Sequence, residues 1–149
     1  MLSKKTQYAI VALVKLAREY QQGPQLIGEI AKEEGIPKKF LEVILLELKN
    51  FGIVSSKKGK GGGYYLIKDP GDINLAEILR YFEGAIALVP CVAFKYYESC
   101  VFCKDEEVCG IRNVFKEVRD ESVRILKRTT LAEILEREKS LIKQSVAKK

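Results

Sequence analysis

Apolar residues recur at helical spacing through the first fifty positions and at strand spacing just after them, and these two periods predict most of the elements. In residues 3–22, Ile10, Leu13, Val14 and Ala17 share one helical face, which Gly23-Pro24 ends. A second, shorter helix covers 26–34, with Ile27, Ile30 and Ala31 on one side. Gly35 turns the chain. Pro37 suits the first position of a third helix, where its missing N–H would have no partner anyway. Phe40, Leu41, Ile44, Leu45 and Leu48 form that helix's apolar face, and Gly52 suits its stop. Residues 53–57 and 64–68 then read as short strands around Lys58-Gly59-Lys60-Gly61-Gly62-Gly63, a hairpin with a basic, glycine-rich tip. Asp69-Pro70-Gly71 closes this unit.

Asn74 caps a fourth helix, with Glu77 at the capping-box position and Leu75, Ile78, Leu79 and Phe82 as its apolar stripe. A loop-like segment leads to a long helix over 110–128. Ile111, Val114, Phe115, Val118, Ser122, Ile125 and Leu126 lie on one side of it. Thr129-Thr130 marks a break, and a last helix carries Leu131, Ile134, Leu135, Leu141 and Ile142. The predicted fold is mainly α with a small β-hairpin, divided into a winged helix-turn-helix unit over 1–70 and a second part over 71–149. That second part holds the connecting helix, the cysteine segment and the C-terminal helices.

Composition narrows the class. The chain has 149 residues, 47% of them apolar and 31% charged, enough for one domain plus an oligomerisation element. No apolar run approaches the roughly 18–20 residues of a membrane span. The N-terminal stretch reads as an amphipathic helix rather than a signal peptide, so the expected location is the cytoplasm. Net charge is +6 and uneven: residues 1–70 hold 12 Lys/Arg against 7 Asp/Glu, residues 71–149 hold 14 against 13. A basic first half implies a polyanionic partner. The absence of histidine excludes Ser–His and Cys–His catalytic pairs and any histidine-ligated metal.

Helix, short helix, turn, helix and basic hairpin is the order of a winged helix-turn-helix. In that arrangement Lys38, Lys39 and Glu42, in the first turn of the third helix, point into a DNA major groove while the first two helices meet the backbone. Phe40 lies in the same turn. Lys57, Lys58 and Lys60 reach phosphates or the minor groove, and Gly61 and Gly62 permit close backbone approach. Tyr64 begins the returning strand and completes the predicted DNA face. A phosphate-cradling loop is the competing reading of the glycine run, but the run lacks the G-x-x-x-x-G-K-[ST] arrangement.

All four cysteines lie in one window, as Cys91, Cys100, Cys103 and Cys109. Three chemistries compete for the spacing C-x8-C-x2-C-x5-C. An all-thiolate zinc site usually has two short knuckles, and only Cys100–Cys103 forms one. The same pair is a candidate redox disulfide, although no thioredoxin-like pattern surrounds it. An iron–sulfur cluster needs three or four thiolates from one flexible segment, and four are present.

Ile36-Pro37-Lys38-Lys39-Phe40-Leu41-Glu42, Leu48, Gly52-Ile53-Val54-Ser55-Ser56 and Gly61-Gly62-Gly63-Tyr64 resemble the Rrf-two family of winged-helix transcription regulators. Tyr8-Ala9 with Leu13 and Leu16-Ala17, the segment from Ile73 to Gly84, and Thr130-Leu131-Ala132-Glu133-Ile134-Leu135 extend the likeness over nearly the whole chain. The resemblance implies a homodimer joined through the long helix at 110–128, reading a palindromic operator in double-stranded DNA. It also implies a 2Fe–2S or 4Fe–4S cluster on three cysteines. Cys91 matches the first by its distance from Glu83-Gly84, and Cys103 and Cys109 match the others. Cys100 departs from that pattern, as a fourth ligand, a substitute or a spare thiol. Other members of the family carry no cluster, and zinc stays open as the alternative metal.

Overall fold

The structure is a computed structural model describing all 149 residues. Six helices and one hairpin follow in the order α1 (Lys4–Arg18), α2 (Ile27–Glu34), α3 (Lys38–Phe51), β1 (Val54–Lys57), β2 (Gly63–Leu66), α4 (Leu75–Glu83), α5 (Gly110–Arg128) and α6 (Leu131–Ala147). Single 3-10 turns precede α4, at Pro70–Asp72, and follow it, at Pro90–Val92. The fold is therefore mainly α with a two-stranded antiparallel wing, as the hydrophobic periods predict.

Most boundaries follow from local chemistry. Ser3, Asn74 and Thr130 each accept a backbone N–H of the first turn on a side-chain oxygen, at 3.2, 3.1 and 3.2 Å, which satisfies donors that a helix start leaves unpaired. Gly52 ends α3 at φ +86°, a left-handed conformation that suits glycine. Three predicted boundaries shift. α1 stops at Arg18 rather than 22, and Tyr20 turns back onto the core beside the left-handed Gln21. Pro37 precedes α3 instead of opening it: its ψ of 125° is extended, and its carbonyl accepts the Leu41 N–H at 3.0 Å. The strands are shorter, because pairing runs only from Val54↔Leu66 to Lys57↔Gly63, with Ile53 adding one hydrogen bond to Ile67.

The core is one cluster centred on Ala9, Leu13 and Leu16 of α1 and on Leu41, Ile44, Leu45 and Leu48 of α3, with Ile53, Val54 and Leu66 from the wing. It crosses the predicted division at residue 70, since Ile73, Ile78 and Leu131 belong to the same cluster. Phe40, predicted on the apolar face, is half out of the core and meets Tyr8 edge-on at 6.1 Å. Two tertiary bridges tie distant segments. Gln25 exchanges backbone hydrogen bonds with Tyr64, both 2.8 Å, and residues 73–75 pair with 129–131. Gly63 is required at the first, because a Cβ there would lie 2.3 Å from the Gln25 carbonyl oxygen.

Truncating Leu45, wholly buried between α3 and its neighbours, to alanine is expected to cost about 2–5 kcal/mol. A lowered midpoint in urea unfolding, with an unchanged slope, checks this.

Candidate nucleic-acid interface and cysteine cavity

α3 turns its N-terminal half outward, so Lys38, Lys39, Phe40 and Glu42 are all exposed. Lys57, Lys58, Lys60 and Gly61 are exposed on the wing. None of these five lysines is in an ion pair, whereas Lys5, Lys15 and Arg18 elsewhere in the same unit are held by Glu47, Glu33 and Glu34. Two predicted positions lie deeper. Gly62 is buried at the hairpin tip, where its N–H donates to the Gly59 carbonyl and a Cβ would meet the Lys57 oxygen at 2.2 Å. Its glycine is thus required for closing the turn. Tyr64 is half-buried, packed on the core and bridged to Gln25.

The four cysteines line a single, mostly apolar cavity of about 350 Å³ with Val89, Phe102, Ile111, Arg112 and Phe115. Cys91, Cys103 and Cys109 are half-buried and Cys100 is exposed. Burial raises the Cys103 thiol above its usual pKa, and the neighbouring Cys109, hydrogen-bonded to it, adds to the shift. Cys109 is the N-cap of α5, its sulfur accepting the Arg112 N–H at 3.4 Å. No group of three cysteine or carboxylate side chains converges at metal-ligand geometry. The donor set itself, four soft thiols on one mostly apolar cavity beside a helix N-terminus, fits the chemistry of an iron–sulfur site.

Two arginines that the sequence reading missed fasten this segment to α5. Arg112 Nε donates to the Cys91 carbonyl at 3.1 Å and faces Glu106 at 3.5 Å. Seven residues on, hence on the same helical face, the buried Arg119 donates to the Val92 carbonyl and lies 4.0 Å above the Phe94 ring. The only signal in the sequence was a pair of cations at i, i+7 bordering an apolar stripe. At the far end of α4, Glu83 accepts hydrogen bonds from Ser3 N–H, Ser3 Oγ and Thr6 Oγ1, joining the last residue of that helix to the start of α1.

A winged helix-turn-helix with a free basic face defines a DNA-binding transcription regulator. Residues 2–137 match the model of the Rrf2 family, described as an iron-dependent transcriptional regulator, and the chain belongs to that family. It is 46% identical over 121 residues to a protein of Rhodobacter capsulatus named as an rrf2-like HTH-type transcriptional regulator, covering 79% of this chain and 81% of that one. It is 27% identical to the HTH-type transcriptional regulator IscR of Enterobacter sp. strain 638, over 94% of this chain and 82% of the relative. Among solved structures, CymR, the global cysteine regulator of B. subtilis, superposes with a TM-score of 0.75 at 27% identity, over 90% of this chain and 95% of that one. T. potens IscR gives 0.73 at 25%, over 93% and 88%. These relatives are regulators rather than enzymes. No helix is long and apolar enough to cross a membrane.

The hydroxyl and amide donors around Glu83 hold its carboxyl below the usual pKa range. A depressed folded-state value gives stability that is present above the ordinary carboxylate range and lost as pH falls through the lowered value. Glu83→Gln is therefore expected to flatten the loss of thermal stability as pH falls through and below the ordinary carboxylate range, measured by melting curves at successively lower pH. An unchanged acid limb rules out the latch.

Proposed function

We propose that the protein is a homodimeric transcription regulator that binds a palindromic operator and is switched by an iron–sulfur cluster held in the 91–109 segment. The observation that carries this is the cavity that all four cysteines share, one wall of which is the N-terminal turn of α5. Cys91, Cys103 and Cys109 are the proposed ligands, with Cys100 at the rim as the candidate fourth. A cluster supplies a centre that reacts with oxidants and nitric oxide.

Everything else is done by the chain. Rearranging residues 91–109 around their ligand requires the Cys91 and Val92 carbonyls to leave Arg112 and Arg119 or to carry α5 with them. α5 packs on α4, and α4 is latched to α1 through Glu83. Order in the sensor thus biases the position of the winged unit, by no more than the difference in ligand affinity between the two states. On α5, Ile111 and Val114 are 72% and 57% exposed, and Val118 and Ile125 continue the same stripe. An apolar face of this length supports an isologous dimer seam. Two-fold symmetry then sets recognition helices about 34 Å apart along the duplex. On the wing, Lys57, Lys58 and Lys60 meet phosphates, while Lys38, Lys39 and Glu42 of α3 face base edges.

Protein purified without oxygen is expected to be brown, with visible absorption and stoichiometric iron and sulfide. Replacing Cys91, Cys103 or Cys109 by alanine removes that colour, and replacing Cys100 separates three ligands from four. Zinc in place of iron, or a colourless metal-free protein, overturns the cluster while leaving DNA binding intact. Lys58→Ala with Lys60→Ala is expected to weaken operator binding. It should also reduce the slope of log affinity against log salt by about 0.9 for each phosphate no longer neutralised. Titrations over a several-fold range of salt concentration check it.

A further inference from the structure

Opposite the buried face of α3 runs the stripe Lys39, Val43, Leu46 and Asn50, at i, i+4, i+7 and i+11. A helix face turned to water normally carries polar residues. Here Val43 is 51% exposed and Leu46 58%, with Phe40 beside them at 51%. The core has no use for them: Leu41, Ile44, Leu45 and Leu48 already fill it from the other side. The surroundings are cationic, with Lys38 and Lys39 on the same helix, Lys57, Lys58 and Lys60 on the wing, and no ion pair to any of them. The matching surface must therefore be polyanionic and still offer apolar groups at the middle of the interface. Duplex DNA has one such group in its major groove, the C5-methyl of thymine.

We propose that Val43, with Leu46 one turn further along, packs on thymine methyl groups and reads T·A pairs at the centre of each half-site. This deepens the DNA-binding function and rests on it. Around that apolar centre Lys39 has the chemistry to donate to guanine O6 and N7, and Glu42 to accept from cytosine N4. Valine discriminates differently: cytosine presents a polar amino group and no methyl where thymine offers carbonyl and methyl, so a branched aliphatic side chain packs favourably only on thymine.

The test isolates the methyl. The full-length protein is used to enrich sites from randomised duplex DNA, and the best site is resynthesised with single thymines replaced by deoxyuridine, which lacks only that methyl. At one or two positions per half-site the replacement is expected to weaken binding about fourfold, the factor that burying one methyl group gives. Val43→Ala, at an exposed position that leaves folding intact by circular dichroism, should lose most of the thymine-over-deoxyuridine preference at the position Val43 reads, and Val43→Ala with Leu46→Ala should lose it at every position. Enriched sites that ignore deoxyuridine everywhere overturn the proposal. So does a Val43→Ala protein that keeps the full discrimination, and either result turns the stripe toward a protein partner. Failure to enrich any site overturns the DNA-binding function itself and this inference with it.

Discussion

The burial of α1 is the constraint on which the rest of the molecule depends. α2, α3, α4, α6 and the second wing strand all pack against this one helix. Ala9, Ala12 and Ala17 let its neighbours come close, while Leu13 and Leu16 fill the space between them. Because interiors are close-packed, the neighbours of a shared helix cannot be repositioned independently. The angle at which α3 is presented, the seating of the wing and the placement of α4 are settled together. Arg18 adds a surface tie at the same hub, its Nη2 donating to both carboxylate oxygens of Glu138 of α6 at 2.9 Å.

The cysteine segment is built on the opposite principle. Between residues 85 and 118 only Val92 is buried, so little apolar area holds this region in one conformation. Its anchors are polar and few: Arg112 on the Cys91 carbonyl, Arg119 on the Val92 carbonyl and the Phe94 ring, and Tyr97 on Glu106. Segments with little buried apolar surface open at low free-energy cost. A closely packed winged unit is thus joined through α4 and α5 to a cysteine segment held by few contacts.

Much of this was legible because its causes are local. Helix limits at Gly52, Asn74 and Thr130 follow from left-handed glycine and side-chain caps, which neighbours in sequence determine. The basic hairpin and the grouping of four cysteines are equally local. Gln25 on Tyr64, and residues 73–75 on 129–131, were not legible, because pairing between segments far apart leaves no periodic trace. Arg112 and Arg119 read as ordinary cations of a solvated helix face until the carbonyls beneath them were in place.

By itself, then, the sequence determined the order of elements, the winged helix-turn-helix plan and the family, since periodicity, turn residues and motif spacing are written along the chain. Only the tertiary structure decided which apolar residues of α3 are core and which are presented outward. Periodicity assigned Phe40 to the inside, while packing against α1 left it, Val43 and Leu46 at the surface. It decided also that Gly62 closes a turn instead of facing outward, and that the four cysteines share one cavity. Each of these depends on distances between residues remote in sequence, and those are set by how the elements pack around α1.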